Sequence, residues 1–141
     1  MKVFLSFASA DRKWAEKLRG HLTLAGFDVW NSDESILPGD KWPEKISKAL
    51  DESEAMIVLV SPEAAESEWV QREVQYAIGA QQYARKLISV VVRPTSKLPW
   101  ILRRLPSVQL NNAPKQASEE IVRLLRQAND AAPSKSRAQV G

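Results

Sequence analysis

The sequence predicts an α/β fold, with one domain built on a five-stranded parallel sheet and helices on both faces. Three observations carry this expectation. Short runs that are apolar at every position alternate along the chain with stretches whose apolar residues recur at helical spacing. Those apolar runs lack the polar alternation of a half-solvated sheet, so their strands are buried on both faces, as parallel strands are. The length of 141 residues and the apolar share of 44% suit a single domain with a full core.

The elements follow in order. "KVFLSF" is the first strand. Trp14, Leu18, Leu22 and Ala25 then recur on one helical face, with Asp11 near the start of the helix, where the dipole favours an anion, and Gly26 at its end. "FDVW" is the second strand, and the polar loop "NSDESILPGD" follows with a Pro38-Gly39 turn signal. Pro43 suits a first helical turn, and Ile46, Ala49 and Leu50 continue that helix. "AMIVLVSP" is a third strand, and residues 67–84 read as the next helix. "KLISVVVRP" is the fourth strand, ended by Pro94. A proline-punctuated loop leads to a short fifth strand in "SVQL". Ser118 is placed to cap the last helix, with Glu119 and Glu120 in its first turn and Ile121, Leu124, Leu125 and Ala128 on one face. The domain is expected to span residues 1–128. Residues 129–141, small and polar, are expected to form a disordered tail.

Composition excludes several classes of function. Net charge is +3, but Lys and Arg are spread along the chain, which indicates a solvated surface rather than a nucleic-acid face. The absence of cysteine rules out disulfides, thiolate catalysis and Cys-ligated metals. A single histidine, His21, leaves no multi-histidine zinc site, so no metal is expected. The apolar start of "MKVFLSFASAD" is too short for a signal peptide, and no apolar run approaches the roughly 20 residues of a membrane span. A cytoplasmic protein without a membrane partner is expected.

Open parallel sheets bind ligands at the carboxyl ends of their strands. That rim collects "SFASAD", "WNSDES", "SPEAAESEW" and "RPTSKLPW". It carries no glycine-rich dinucleotide fingerprint, no Walker lysine loop and no nucleophile elbow. A phospho-receiver domain would place acidic residues where Phe7-Ala8-Ser9 and Ser61-Pro62 stand.

One residue on this rim is out of place for simple packing. In "SEWVQRE", advancing about 100° per residue from Trp69 puts Glu73 near ~40°, Ala77 near ~80°, Val70 near ~100°, Val74 near ~140° and Ile78 near ~180°. Glu73 is the only charged residue on this core-facing arc. A buried carboxylate shifts its pKa, finds partners or binds a ligand. It is therefore either a structural acid at the helix edge or a functional one.

Together these residues resemble a Toll/interleukin-1 receptor (TIR) domain. "VFLSFASAD" resembles the family's first box, and "ILPGDKW" its second box and BB loop. "SEWVQRE" resembles the S-x-W-x-x-x-E pattern of the bacterial TIR branch that hydrolyses NAD, with Ser67, Trp69 and Glu73 in register. The likeness covers Val3 to about Ala128. The chain departs from the family where Ser6-Phe7 replaces a common Ser-Tyr. It departs again where Asn31-Ser32 follows strand two and the acidic Asp33-Glu34 comes later.

The resemblance implies a flavodoxin-like TIR fold and cleavage of the nicotinamide–ribose bond of NAD+, a substrate rather than a cofactor. Glu73 takes the catalytic role, and Phe7, Ser9, Asp33, Trp69 and Trp100 are implied to bind substrate. For Trp69 and Trp100, core or edge packing stays open beside that role. Water as the attacking group gives ADP-ribose, and an attacking atom of the same dinucleotide gives a cyclic isomer. The family also implies immune, antiphage signalling. The partners implied are other TIR protomers and a sensor or effector protein on a separate chain. The BB loop, about Asn31 to Trp42, is implied to mediate self-association, with Ile36, Leu37, Pro38 and Gly39 as its candidate contact; a plain connecting loop stays open beside that role. The alternatives are a non-enzymatic TIR adaptor that acts by self-association, and a nucleoside deoxyribosyltransferase-like enzyme, against which the "LPGD" loop argues.

Overall fold

The computed structural model describes residues 1–31, 44–80, 83, 86–95 and 105–140, and for residues 44, 45, 47 and 129–140 the backbone path alone. The chain forms β1 (Lys2–Ser6), a 3-10 turn (Ser9–Asp11), α1 (Arg12–Leu24), β2 (Asp28–Asn31), α2 (Glu44–Glu52) and β3 (Ala55–Val60). It continues as α3 (Pro62–Glu66), α4 (Glu68–Gly79), β4 (Leu87–Val91), β5 (Ser107–Gln109) and α5 (Pro114–Val140). The sheet has five strands in the order β2-β1-β3-β4-β5, and every neighbouring pair is parallel. The parallel sheet read from the sequence is therefore present.

The period of two along each strand sorts the core into two layers. Val3, Leu5, Ile57, Leu59, Ile88 and Val90 face α1 and α5, where Leu18, Leu22, Ile121 and Leu125 meet them. Phe4, Met56, Val58 and Val60 face the other way, against Ile46 and Leu50 of α2 and Val70, Val74 and Ala77 of α4. All six residues of β3 are buried, which is why that strand is apolar without alternation.

The end of α1 shows how sequence chemistry sets a boundary. Gly26 takes a φ of 99°, a backbone that favours glycine. Its N–H donates to Thr23 O at 3.0 Å and the Phe27 N–H to Leu22 O at 3.1 Å, a Schellman motif that satisfies the last carbonyls. Phe27 and Leu22 share the same core cluster, so the cap also starts β2 in register.

Three boundaries differ from expectation. The helix predicted over residues 67–84 ends at Gly79. Glycine is a poor helix former, and Ala80 turns extended beyond it. Tyr83 is instead buried under the sheet, where its hydroxyl donates to Leu50 O and burial pushes the phenol's pKa up. The stretch 62–66, read as rim loop, is a short helix with Ser61 as its cap and Pro62 in its first turn. The last helix begins at Pro114, not after Ser118. Ser118 lies inside it and donates to Pro114 O at 2.6 Å, a bond back to the preceding turn. The backbone of this helix runs on to Val140. No helix among the described residues is long and apolar enough to cross a membrane.

Candidate active site

Ser6 is the last residue of β1, at the carboxyl end of the sheet. Alternation from Phe4 turns its side chain toward the α2–α4 layer. Glu73 approaches from α4, and the Ser6 hydroxyl donates to Glu73 Oε1 at 2.7 Å. Both residues are 0% exposed. The α4 helix that carries the acid is well started. The Ser67 hydroxyl accepts from the Val70 N–H at 3.3 Å, and Glu68 lies in the first turn, where the helix dipole favours it.

The buried residues of α4 are Val70, Glu73, Val74 and Ala77, an arc of about 100° on the helical wheel. Glu73 therefore faces the core, as the periodicity predicts. Ile78, expected on the same arc, is 40% exposed. The packed stripe is centred near Ala77 and Val70, and Ile78 falls beyond its far edge. Burial of a carboxylate is costly, and the charge-assisted bond from Ser6 offsets part of that cost.

Trp69 is half-buried at the margin of the same layer, and the Arg72 guanidinium lies 5.7 Å from its ring centroid. Phe7 follows Ser6 and so points to the opposite face of the sheet. There it packs toward α1 and lines a cavity of about 170 Å³ with Leu5, Ala15, Arg19 and Asn31. The structure thus places Trp69 on the Glu73 side and Phe7 on the other. Ser9 is exposed in the 3-10 turn of the same rim. Asp33, Ile36, Leu37, Pro38, Gly39 and Trp100 lie outside the described residues, as does Pro43.

A second polar cluster ties the strand tips together, and sequence patterning alone misses it. Asp11 is fully buried after β1. It accepts a hydrogen bond from the Ser61 hydroxyl at the end of β3, and its Oδ1 lies 2.9 Å from an Arg93 nitrogen beyond β4. The same guanidinium also binds Glu63. That hydrogen bond holds the Glu63 carboxyl below its ordinary value and raises Arg93 above its own. Asp11 makes no side-chain cap bond to α1, so the role expected from the helix dipole gives way to a tie between strand ends. Ser61 directly after β3, Arg93 two residues after β4 and Asp11 five residues after β1 are the polar residues past three strand ends whose positions hint at this cluster. Among the described residues, no group of three or more His, Cys, Asp or Glu side chains is placed to hold a metal ion.

A parallel sheet in this strand order, with a buried acid from a flanking helix at the strand tips, defines a flavodoxin-like α/β domain with a ligand rim. The comparisons narrow the class. The TIR domain model matches residues 3–125, and the chain belongs to the TIR-domain family. It is 32% identical over 96 residues to NAD(+) hydrolase PdTIR of Paracoccus denitrificans (strain Pd 1222), covering 67% of this chain and 32% of that protein. It is 29% identical over 110 residues to 2' cyclic ADP-D-ribose synthase BtTIR of Bacteroides thetaiotaomicron, covering 74% of this chain and 37% of that protein. The chain thus spans about a third of the length of the curated relatives it matches. Among solved structures, the TIR domain of the Toll-related receptor TRR-2 of Hydra magnipapillata superposes with a TM-score of 0.69 at 21% identity, over 88% of this chain and 97% of that one.

Proposed function

We propose that this domain cleaves the nicotinamide–ribose bond of NAD+, with Glu73 as the catalytic carboxylate. The observation that carries the reading is the placement of Glu73. It is a fully buried acid on α4, in the Ser67-x-Trp69-x-x-x-Glu73 register, seated at the tip of β1. The names of the two bacterial relatives support the substrate class.

The chemistry suits one carboxylate. The nicotinamide nitrogen is cationic while bonded to the ribose, so it takes the bonding electron pair and departs neutral, without a general acid. Positive charge then develops on the ribose as an oxocarbenium ion. A fixed anion beside that sugar stabilises the charge as it forms, and its strength is greatest where water is excluded. Water attack yields ADP-ribose. Attack by a nucleophile of the same dinucleotide yields a cyclic isomer, and the two relatives' names span both outcomes. Trp69 offers an indole near the acid, and a pyridinium over such a face gains about 0.5–2 kcal/mol. Arg72 stands over that ring in this state, so the ligand takes the other face or displaces the guanidinium.

Because Glu73 is 0% exposed, its cover must open before substrate reaches it. Self-association of TIR protomers through the BB loop is the event we assign to that opening, in a signalling role that a partner chain triggers. The test is nicotinamide release from NAD+ across a range of protein concentrations, with and without a crowding agent. The expected result is release that rises faster than linearly with protein and is lost in Glu73→Gln. Release that is unchanged in Glu73→Gln moves the catalytic role elsewhere. Absence of release at every concentration leaves the domain a self-associating scaffold.

A further inference from the structure

We propose that Ser6 is a positioning residue for the reaction, acting through Glu73; this rests on the NAD+-cleaving function proposed above. Its hydroxyl is the described donor to Glu73 Oε1, at 2.7 Å, and neither side chain reaches solvent. A glutamate has three side-chain torsions, and a carboxylate meant to stabilise a developing cation must stay within a fraction of an ångström of its working place. Glu73 shares the buried face of α4 with Val70, Val74 and Ala77. The bond from Ser6 fixes the head.

The donor is itself rigid. Ser6 ends β1, in register with Val58 of β3, so its backbone is held in the middle of the sheet. Its neighbours in the strand, Val3, Phe4 and Leu5, are at most 1% exposed. A hydroxyl ending so apolar a strand has no packing purpose that alanine would not serve. A hydroxyl also donates one proton and leaves a carboxylate its negative charge, whereas a lysine there would neutralise it. The Ser6 hydroxyl thus orients the carboxylate without itself neutralising it, which suits an oxocarbenium-like transition state.

The test compares Ser6→Ala, Ser6→Cys and Ser6→Thr with wild type and Glu73→Gln by steady-state nicotinamide release, each variant assayed well below its melting temperature. Loss of one hydrogen bond to a charged catalytic group lowers kcat about 10- to 100-fold. KM stays within about twofold, because the acid acts chiefly on the ribose charge, which develops only as the bond breaks. Ser6→Thr, which retains the hydroxyl, recovers most of kcat. Ser6→Cys, nearly isosteric but a weaker donor, falls between alanine and wild type. A kcat for Ser6→Ala within about twofold of wild type, while Glu73→Gln is inactive, overturns the role of Ser6 and leaves the function standing. A kcat loss in Ser6→Cys as deep as in Ser6→Ala, with both proteins folded, also overturns it if Ser6→Thr shows no recovery. Full activity in Glu73→Gln removes the functional reading itself, and is thereby distinguished from failure of the Ser6 proposal alone.

Discussion

Arg93 binds two carboxylates, and their unequal burial makes a sharp prediction. Asp11 is 0% exposed, whereas the Glu63 side chain is 48% exposed and Arg93 itself 41%. Asp11→Ala removes the acceptor of the buried Ser61 hydroxyl and the anion 2.9 Å from Arg93. A hydrogen bond to a charged group contributes about 1.5–3 kcal/mol, and the Arg93 share is discounted because solvent screens that side chain. The expected loss is about 2–3 kcal/mol. For a domain of this size that lowers the melting temperature by about 6–12 °C. Glu63→Ala removes an exposed pair and leaves the melting temperature within about 1 °C of wild type. Thermal unfolding followed by circular dichroism at pH 7, in low and in ~1 M salt, measures both. The Asp11 effect persists in high salt. Equal shifts for the two variants, or an Asp11→Ala melt indistinguishable from wild type, would refute the assignment of this cluster as a buried tie.

Further outcomes are expected elsewhere in the fold. Glu73→Gln keeps the shape of the side chain and removes a buried charge, so its melting temperature is no lower than wild type even as nicotinamide release is lost. Gly26→Ala, at a φ of 99° with open space around the added Cβ, destabilises by about 1 kcal/mol through backbone strain. Gly20→Ala, inside α1 and equally unobstructed, stabilises by about 0.5–1 kcal/mol, and urea unfolding reads both signs. Glu52, Glu63 and Glu120 are held below the ordinary carboxylate range by hydrogen bonds from Lys2, Arg93 and Arg123. A depressed folded pKa gives stability that is present above the unfolded value and lost as pH falls through the folded one. The melting temperature is therefore flat from pH 7 to 5 and declines below about pH 4, modestly, since all three acids are exposed.

Much of the architecture was legible because local rules and global packing agree. The strands are mostly apolar because β1, β3 and β4 are covered on both faces, and α1 stops where Gly26 can turn the chain. Helical periodicity alone put Glu73 on a core-facing arc. The misplaced boundaries have separate causes. Ser118 and residues 67–84 carry acceptable local signals, but a competing local signal or a tertiary contact prevailed at each end. Tyr83 leaves the helix to reach Leu50, and the turn at Asn111 and Asn112, both with positive φ, lets Pro114 start α5 one turn early.

The order of apolar runs and helical stripes, by itself, determined that this chain builds a parallel α/β sheet and that one acid is turned inward. Those properties depend on periods of two and 3.6 residues, which a sequence displays directly. Only the tertiary structure decided what the acid meets. Ser6 lies 67 positions before Glu73, and Arg93 lies 82 positions after Asp11. Such pairs form because strand order and helix packing bring the tips of β1, β3 and β4 together, and no local pattern encodes a distance across the sheet. The face that each side chain takes was decided there too. One residue along β1 separates the Ser6 hydroxyl, which holds the acid, from the Phe7 ring, which packs on the far side.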